Sequence, residues 1–183
     1  YQVQMFLQNV LEYDSGDFIF AGEKMLLSDS VRYYVKYVFY ETLGQIKEPD
    51  DNISQFIIDN CENKIYGNYL LDNAIFSRKQ YVVILRNQGI LERWYSEPEK
   101  KVVVFNLLQS ISPNLDGEDI SFIKKYAFSN RDDDEQFMRC FLHDITQESD
   151  EMFELRMLFY EHYPDYAKEV YINVISMMKQ FET

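Results

Sequence analysis

The sequence predicts an all-α fold in which about nine or ten helices form a right-handed stack of antiparallel pairs. Three observations lead to this prediction. An apolar pattern at positions i, i+4, i+5 and i+8, which is one face of a helix, returns about every 34 residues. Four prolines and six glycines divide the chain into segments of helical length. The β-branched runs at 82–85 and 102–105, which resemble strands, are short and lie inside segments with helical spacing.

Five sets of apolar residues carry the recurring pattern. Steps of 35, 33, 34 and 33 residues separate them, and Arg78 breaks the last position of the second set. Such a period is typical of stacked-repeat proteins, in which each helix pair needs a neighbour to cover its apolar faces. The sets are Val35, Phe39, Tyr40 and Leu43; Leu70, Ala74 and Ile75; Val103, Leu107, Leu108 and Ile111; Phe137, Phe141, Leu142 and Ile145; and Val170, Val174, Ile175 and Met178.

The chain is predicted to divide into an irregular N-terminal segment, 1–28, and a helical repeat domain, 29–183. One helix fits the start of the segment, but residues 14–27 lack a clear period. Phe18–Phe20 are therefore expected to fold under as an apolar plug in a connecting loop.

Ten helices are predicted, and capping residues or helix breakers mark their ends. Ser28 with Ser30, Asp50, Asp116 and Ser149 stand before helix starts, where their side-chain oxygens accept hydrogen bonds from free amide groups. A second apolar stripe recurs at an offset of 32 residues, so the unit from residue 98 onward is a helix pair. This stripe comprises Ile120, Ile123, Tyr126 and Ala127, then Met152, Leu155, Leu158 and Phe159. The predicted helices span residues 2–13, 29–43, 50–61, 66–75, 78–95, 99–111, 118–128, 133–146, 149–162 and 165–181.

Composition and charge narrow the possible partners. The chain is 46% hydrophobic, which is far too apolar for a disordered protein. Its formal net charge of −13 disfavours nucleic acid and anionic membrane surfaces, because both attract Lys and Arg. No apolar run approaches the ~20 residues that cross a bilayer. A protein or peptide partner is predicted, and charge favours a basic one.

Cysteine use predicts a reducing compartment. Cys61 and Cys140 lie far apart in apolar helical patterns, which favours two buried free thiols and a cytoplasmic protein. The chain begins at Tyr1 with neither an initiator Met nor the basic and apolar regions of a signal peptide. We therefore expect a piece of a longer polypeptide.

The sequence contains no motif for catalysis or cofactor binding. The phosphate-binding patterns G-x-x-x-x-G-K-[ST] and G-x-G-x-x-G do not occur, and neither does the G-x-S-x-G of serine hydrolases. Cys140, His143 and Asp144 share a helical face and would hold zinc with a fourth ligand such as His162. The apolar register favours Cys140 in the core instead. We predict no metal, no cofactor and no catalytic residue, and hence not an enzyme.

Five residues are candidates for a protein-binding surface. Arg93, Trp94 and Tyr95 lie together near a predicted helix end, and Trp or Tyr beside Arg is typical of binding hot spots. Tyr160 and Tyr163 belong to a C-terminal group of tyrosines, whose rings pack while their hydroxyls stay wet. Each group also has a structural interpretation, with Trp94 as a core anchor and the tyrosines at the edge of the core.

The two-helix unit over residues 29–181 resembles the α-solenoid class, and its degenerate apolar registers are most similar to HEAT-like repeats. The segment from Asp150 to Tyr160, followed by His162-Tyr-Pro-Asp, is also similar to helical arms of large bacterial signalling NTPases of the STAND or NACHT type. These resemblances imply a non-catalytic interaction scaffold, or the sensor or regulatory arm of a larger protein. The alternatives are a small all-α enzyme or ligand-binding bundle with a pocket between helices, and a HEAT-like arm that binds nucleic acid.

Overall fold

A computed structural model describes residues 2–62, 78–126, 128, 134–135, 138–139, 141–142, 149–168 and 170–171. Every regular element in these ranges is helical, which confirms the all-α prediction. The β-branched runs at 82–85 and 102–105 lie within helices. None of the described helices combines the length and the apolar character that crossing a bilayer requires.

Nine α-helices have both of their ends in the described part of the chain and are numbered in order. The helices predicted at 2–13, 50–61, 99–111, 118–128 and 149–162 are confirmed to within two residues. The helix predicted at 66–75 lies outside the described residues, as do parts of those at 133–146 and 165–181. The helices are α1 (Gln2–Tyr13), α2 (Ser15–Leu27), α3 (Tyr33–Gln45), α4 (Asp51–Asn60), α5 (Lys79–Asn87), α6 (Ile90–Ser96), α7 (Pro98–Ser110), α8 (Gly117–Tyr126) and α9 (Asp150–His162).

Residues 15–27 form a helix and not the predicted loop, so this part of the prediction was wrong. Asp14 caps α2 by accepting a hydrogen bond from an amide of the first turn at 2.9 Å. Phe18, Gly22 and Leu26 are buried at i, i+4 and i+8, which is a helical stripe. The stripe does not stand out in the sequence because its middle position, Gly22, carries no apolar side chain.

The helix predicted at 78–95 is two helices, because Gly89 stands between α5 and α6. Its φ of 68° is in the left-handed region, which disfavours any residue with a Cβ. The Gly89 amide donates a hydrogen bond to the Arg86 carbonyl at 2.9 Å and so closes the end of α5. The sequence signal was a lone glycine inside a helical pattern.

Most of the predicted capping residues cap their helices. Asp50 and Ser149 each accept a hydrogen bond from the amide three residues on, at 3.0 and 3.2 Å, and Asp116 does so at 2.9 Å. Ser28 and Ser30 were wrongly predicted as caps, since their hydroxyls bond to each other at 2.8 Å. Without a side-chain cap, α3 begins four residues later than its predicted start at 29.

The chain divides into two compact units, Tyr1–Ile111 and Ser112–Thr183. This division differs from the predicted boundary between residues 28 and 29, which stays a prediction. Each unit has its own buried apolar residues.

The core of the first unit is centred on Phe39 of α3. The Phe39 ring lies 5.0 Å from the ring of Phe18 on α2 and 5.9 Å from that of Phe56 on α4, between ring centroids. A Cβ at Gly22 would overlap the Phe39 ring, so α2 approaches α3 closely only because this position is glycine. Three helices therefore meet on one aromatic side chain.

Side chains from α5 hold the C-terminal end of α3. The buried Tyr81 hydroxyl donates a hydrogen bond to the carbonyl oxygen of Leu43, and the Gln80 side-chain amide donates to that of Ile46. Carbonyl groups at a helix end lack partners within the helix, so these bonds satisfy them from another element. Burial raises the pKa of Tyr81 and keeps the hydroxyl protonated as a donor.

In the second unit, α8 and α9 bury the second predicted stripe against a common core. Ile120 and Ile123 of α8 are buried, as are Met152, Leu155 and Phe159 of α9. The spacing of the stripe predicted this burial. The arrangement of all the helices as a continuous stack stays a prediction.

We expect Gly22→Ala to destabilise the first unit, because the added methyl group overlaps the Phe39 ring. Overpacking of this kind costs about 1–3 kcal/mol, although Ala by itself favours a helix over Gly by about 1 kcal/mol. Gly117→Ala is the matched control, since a Cβ there meets nothing within 4 Å. Thermal unfolding followed by circular dichroism should show a lower Tm for Gly22→Ala and an unchanged or higher Tm for Gly117→Ala. Equal effects at both glycines would contradict the close approach.

Candidate functional site

A groove of about 500 Å³ lies between α8 and α9 in the second unit. It is open to solvent and mostly apolar at its base. Charged side chains stand along its rim. The residues that line it are Lys124, Phe153, Glu154, Met157, Leu158 and Glu161.

The groove exists because α9 has two apolar faces and its core contacts cover one of them. Met152, Leu155 and Phe159 point into the core. Phe153 and Met157, also one turn apart, lie roughly 150° around the helix from the centre of this buried stripe. Their side chains are 59% and 43% exposed. Solvent-exposed apolar residues of this size at adjacent turns are typical of binding surfaces.

The charge at the rim is mainly negative. Lys124 of α8 makes an ion pair with Glu154 of α9, with 3.1 Å between Nζ and Oε2, so that these two charges offset each other. Glu161 stands in the last turn of α9, and within the described part of the chain it makes no ion pair. The C-terminal end of a helix dipole is negative, which adds to the potential in the same turn. A positively charged group is therefore attracted to this end of the groove.

The predicted candidates Tyr160 and Tyr163 lie in an aromatic cluster around the buried Phe159. Ring centroids are 6.2 Å from Phe159 for Tyr160 and 4.9 Å for Tyr163. Tyr166 lies 5.3 Å from Phe159 and carries the Arg139 guanidinium 4.3 Å above its ring. Both candidates are half-buried, which fits the structural interpretation of the tyrosines as edges of the core.

The candidates in the first unit separate into buried and exposed residues. Trp94 is 1% exposed, so it packs in the core of its unit and is not open to a partner. Arg93 is largely exposed. Tyr95 is half-buried, with its ring 5.7 Å from that of Phe105 and the Lys101 ammonium 4.9 Å above it. The hot-spot pattern in the sequence therefore includes a core anchor.

Glu62 was not identified from the sequence, yet it connects these residues. Its Oε1 accepts hydrogen bonds from Trp94 Nε1 at 2.5 Å, Arg93 at 3.0 Å and Lys100 at 3.1 Å. The Trp94 hydrogen bond contributes most, followed by those from the two cations, and together they lower the pKa of Glu62 to about 2. The three partners of Glu62 lie more than 30 residues away in the sequence, so no local sequence motif indicates these hydrogen bonds.

Cys61, next to Glu62, is buried and its thiol donates a weak hydrogen bond to the Ile58 carbonyl. Burial, with the Glu62 charge, raises the pKa of the Cys61 thiol to about 11. A thiol with so high a pKa is protonated at neutral pH and is a poor nucleophile. Its burial as a free thiol was predicted for Cys61. Cys140 lies outside the described residues.

The described residues hold no group of three or more His, Cys, Asp or Glu side chains that is placed to bind a metal ion. His162 packs edge-on against Phe128 at 5.7 Å and against Tyr163 at 5.2 Å. His143, like Cys140, lies outside the described residues. Two smaller clefts in the first unit, of about 180 and 250 Å³, have amide and carboxylate side chains as at least half of their lining residues.

Comparisons with models of protein families, with curated proteins and with solved structures find no match to this chain. The resemblances to HEAT-like repeats and to NTPase arms stay predictions. The chemistry of the chain's own residues therefore carries the functional proposal.

The hydrogen bonds of Glu62 should make the free energy of unfolding depend on pH in the acid range. A folded-state pKa of about 2, below the ordinary glutamate value of 4.5, means that the stabilisation is present above pH 4.5 and is lost as pH falls toward 2. Because Glu62 is 40% exposed, we expect solvent screening to limit it to on the order of 1 kcal/mol. Glu62→Gln should therefore unfold more easily than the wild type at pH 7 but not at pH 2, as measured by urea titration.

The control is Glu48→Gln, which alters an exposed glutamate that makes no ion pair in the described part of the chain. It should follow the wild type at both pH values. If Glu62→Gln also matched the wild type at pH 7, the three hydrogen bonds would not stabilise the fold.

Proposed function

We propose that this chain is a non-catalytic helical module that binds another protein, and that the partner docks in the groove between α8 and α9. The observation that carries the proposal is the second apolar face of α9, formed by Phe153 and Met157. Aromatic residues and Met are enriched at protein interfaces, where they supply buried contact area. Met also adapts its shape to a partner because its side chain is unbranched and flexible.

A protein partner fits this groove better than a small ligand does. Pockets for small molecules bury about 70–90% of the ligand surface, which requires walls on most sides. Phe153 and Met157 are about half exposed, and five of the six residues that line the groove belong to a single helix, α9. A second helix laid along α9 would cover both side chains, which is the helix-in-groove mode of recognition.

We further propose that the helices form a HEAT-like solenoid serving as the sensor or regulatory arm of a larger cytoplasmic protein. Burial of the repeat positions supports the stack, since Phe39, Tyr40 and Leu43 of one set and Leu107, Leu108 and Ile111 of another are core residues. In such repeats each helix pair contacts its neighbours and leaves a surface for partners.

Selection from a displayed library of helical peptides, with the full chain as bait, tests the binding function. We expect enriched peptides whose affinity falls roughly tenfold or more with Phe153→Asp, since a charge then replaces the apolar contact. Phe20→Asp is the matched control, because Phe20 is 60% exposed but lies on α2 in the first unit. It should leave the same peptides bound. Enrichment that survives Phe153→Asp, or none at all, would contradict docking at this groove.

A further inference from the structure

The net charge of the second unit indicates the sign of charge that its partner should carry. Residues 112–183 contain sixteen acidic and seven basic residues, a net charge of −9 out of −13 for the chain. On α9 the exposed acidic residues are Asp150, Glu151, Glu154 and Glu161. Lys124, the lysine among the described residues that line the groove, is engaged with Glu154. The field at the groove therefore favours a cationic partner.

The order of side chains along α9 sets the pattern that the partner must present. Phe153, Met157 and Glu161 follow one another at i, i+4 and i+8, so each lies about 6 Å further along the helix axis than the last. Two apolar positions are thus followed by a carboxylate in the last turn. A helix docked alongside would match them with two apolar residues one turn apart and a cation one turn beyond.

Other occupants are disfavoured by the same charges. A second copy would bring another unit of charge −9 against this face, and like charges in apposition oppose binding. Phosphate backbones and anionic lipid surfaces are repelled in the same way. A positively charged amphipathic helix satisfies both the apolar pair and the carboxylate.

We propose that the groove between α8 and α9 binds a basic amphipathic helix, which packs two apolar side chains on Phe153 and Met157 and places a Lys or Arg at Glu161. This inference rests on the proposed function of the groove and adds the class of partner. The attraction is electrostatic at the rim, so binding weakens as salt rises. The apolar contact at the base fixes the register of the helix.

The experiment uses four synthetic peptides of about 18 residues, a length that supports partial helix formation. The first has Leu at i and i+4 with Lys around them. The second and third replace Lys by Glu or by Gln, and the fourth has the composition of the first with its Leu residues scattered around the helix. Binding to the full chain is measured by fluorescence anisotropy at about 50 mM and about 150 mM salt.

We expect the Leu/Lys peptide to bind at least about tenfold more tightly than the Glu, Gln and scattered peptides. Glu161→Gln should weaken it about two- to fivefold, whereas Glu48→Gln should have no effect. Phe153→Asp adds a negative charge and yet should abolish binding. That result separates apolar docking from mere attraction to an acidic protein, since attraction alone would strengthen binding to this variant.

Three results would overturn the inference. The Glu or Gln peptide could bind as tightly as the Leu/Lys peptide in a manner that depends on Phe153, which would leave the groove a docking site for a partner of another charge. The scattered peptide could bind equally well, which would reduce the interaction to non-specific charge attraction. Binding of no peptide would also overturn it, while the library selection would still decide whether the groove binds a protein.

Discussion

The close approach of α2 to α3 at Gly22 is the constraint on which the packing of the first unit depends. Because Gly22 has no side chain, the Phe39 ring lies against bare helix backbone and also reaches Phe18 and Phe56. Well-packed interiors tolerate added volume poorly, so this position admits little variation. The hydrogen bond from the Tyr81 hydroxyl to the C-terminal end of α3 then connects α5 to the same core.

The second unit uses its apolar residues in a different way. Its helix α9 buries one stripe around Phe159 and leaves Phe153 and Met157 beside a groove. Exposing two large apolar side chains to water is unfavourable, and neither side chain belongs to the core formed by the described residues of the unit. The groove, its acidic rim and the excess of negative charge in residues 112–183 make one coherent site for a cationic helix. We infer function from this combination and not from any single residue.

The sequence allowed the helical class, most helix ends and the buried stripes to be predicted, because periodicity and capping are local. It missed α2, since a glycine replaces the middle apolar residue of the stripe, and it missed the break at Gly89. Trp94 was ambiguous because the hydrogen-bond partner of its buried indole, Glu62, is distant in sequence. The exposed pair Phe153 and Met157 was not recognised in the sequence, because the same helix also carries the apolar residues of the core stripe. The i, i+4 pair of Phe153 and Met157, displaced by two residues from the buried pair of Leu155 and Phe159, was the signal that would have identified them.

The central claim is that a cationic helix covers the second apolar face of α9, and methyl NMR on the full chain labelled at methionine Cε tests it most directly. Met157 and Met5 are a matched pair, 43% and 47% exposed, on α9 and α1 respectively. Titration with the Leu/Lys peptide should shift or broaden the Met157 methyl signal and leave that of Met5 unchanged. A shift at Met5 without one at Met157, under conditions in which the peptide is bound, would contradict the account.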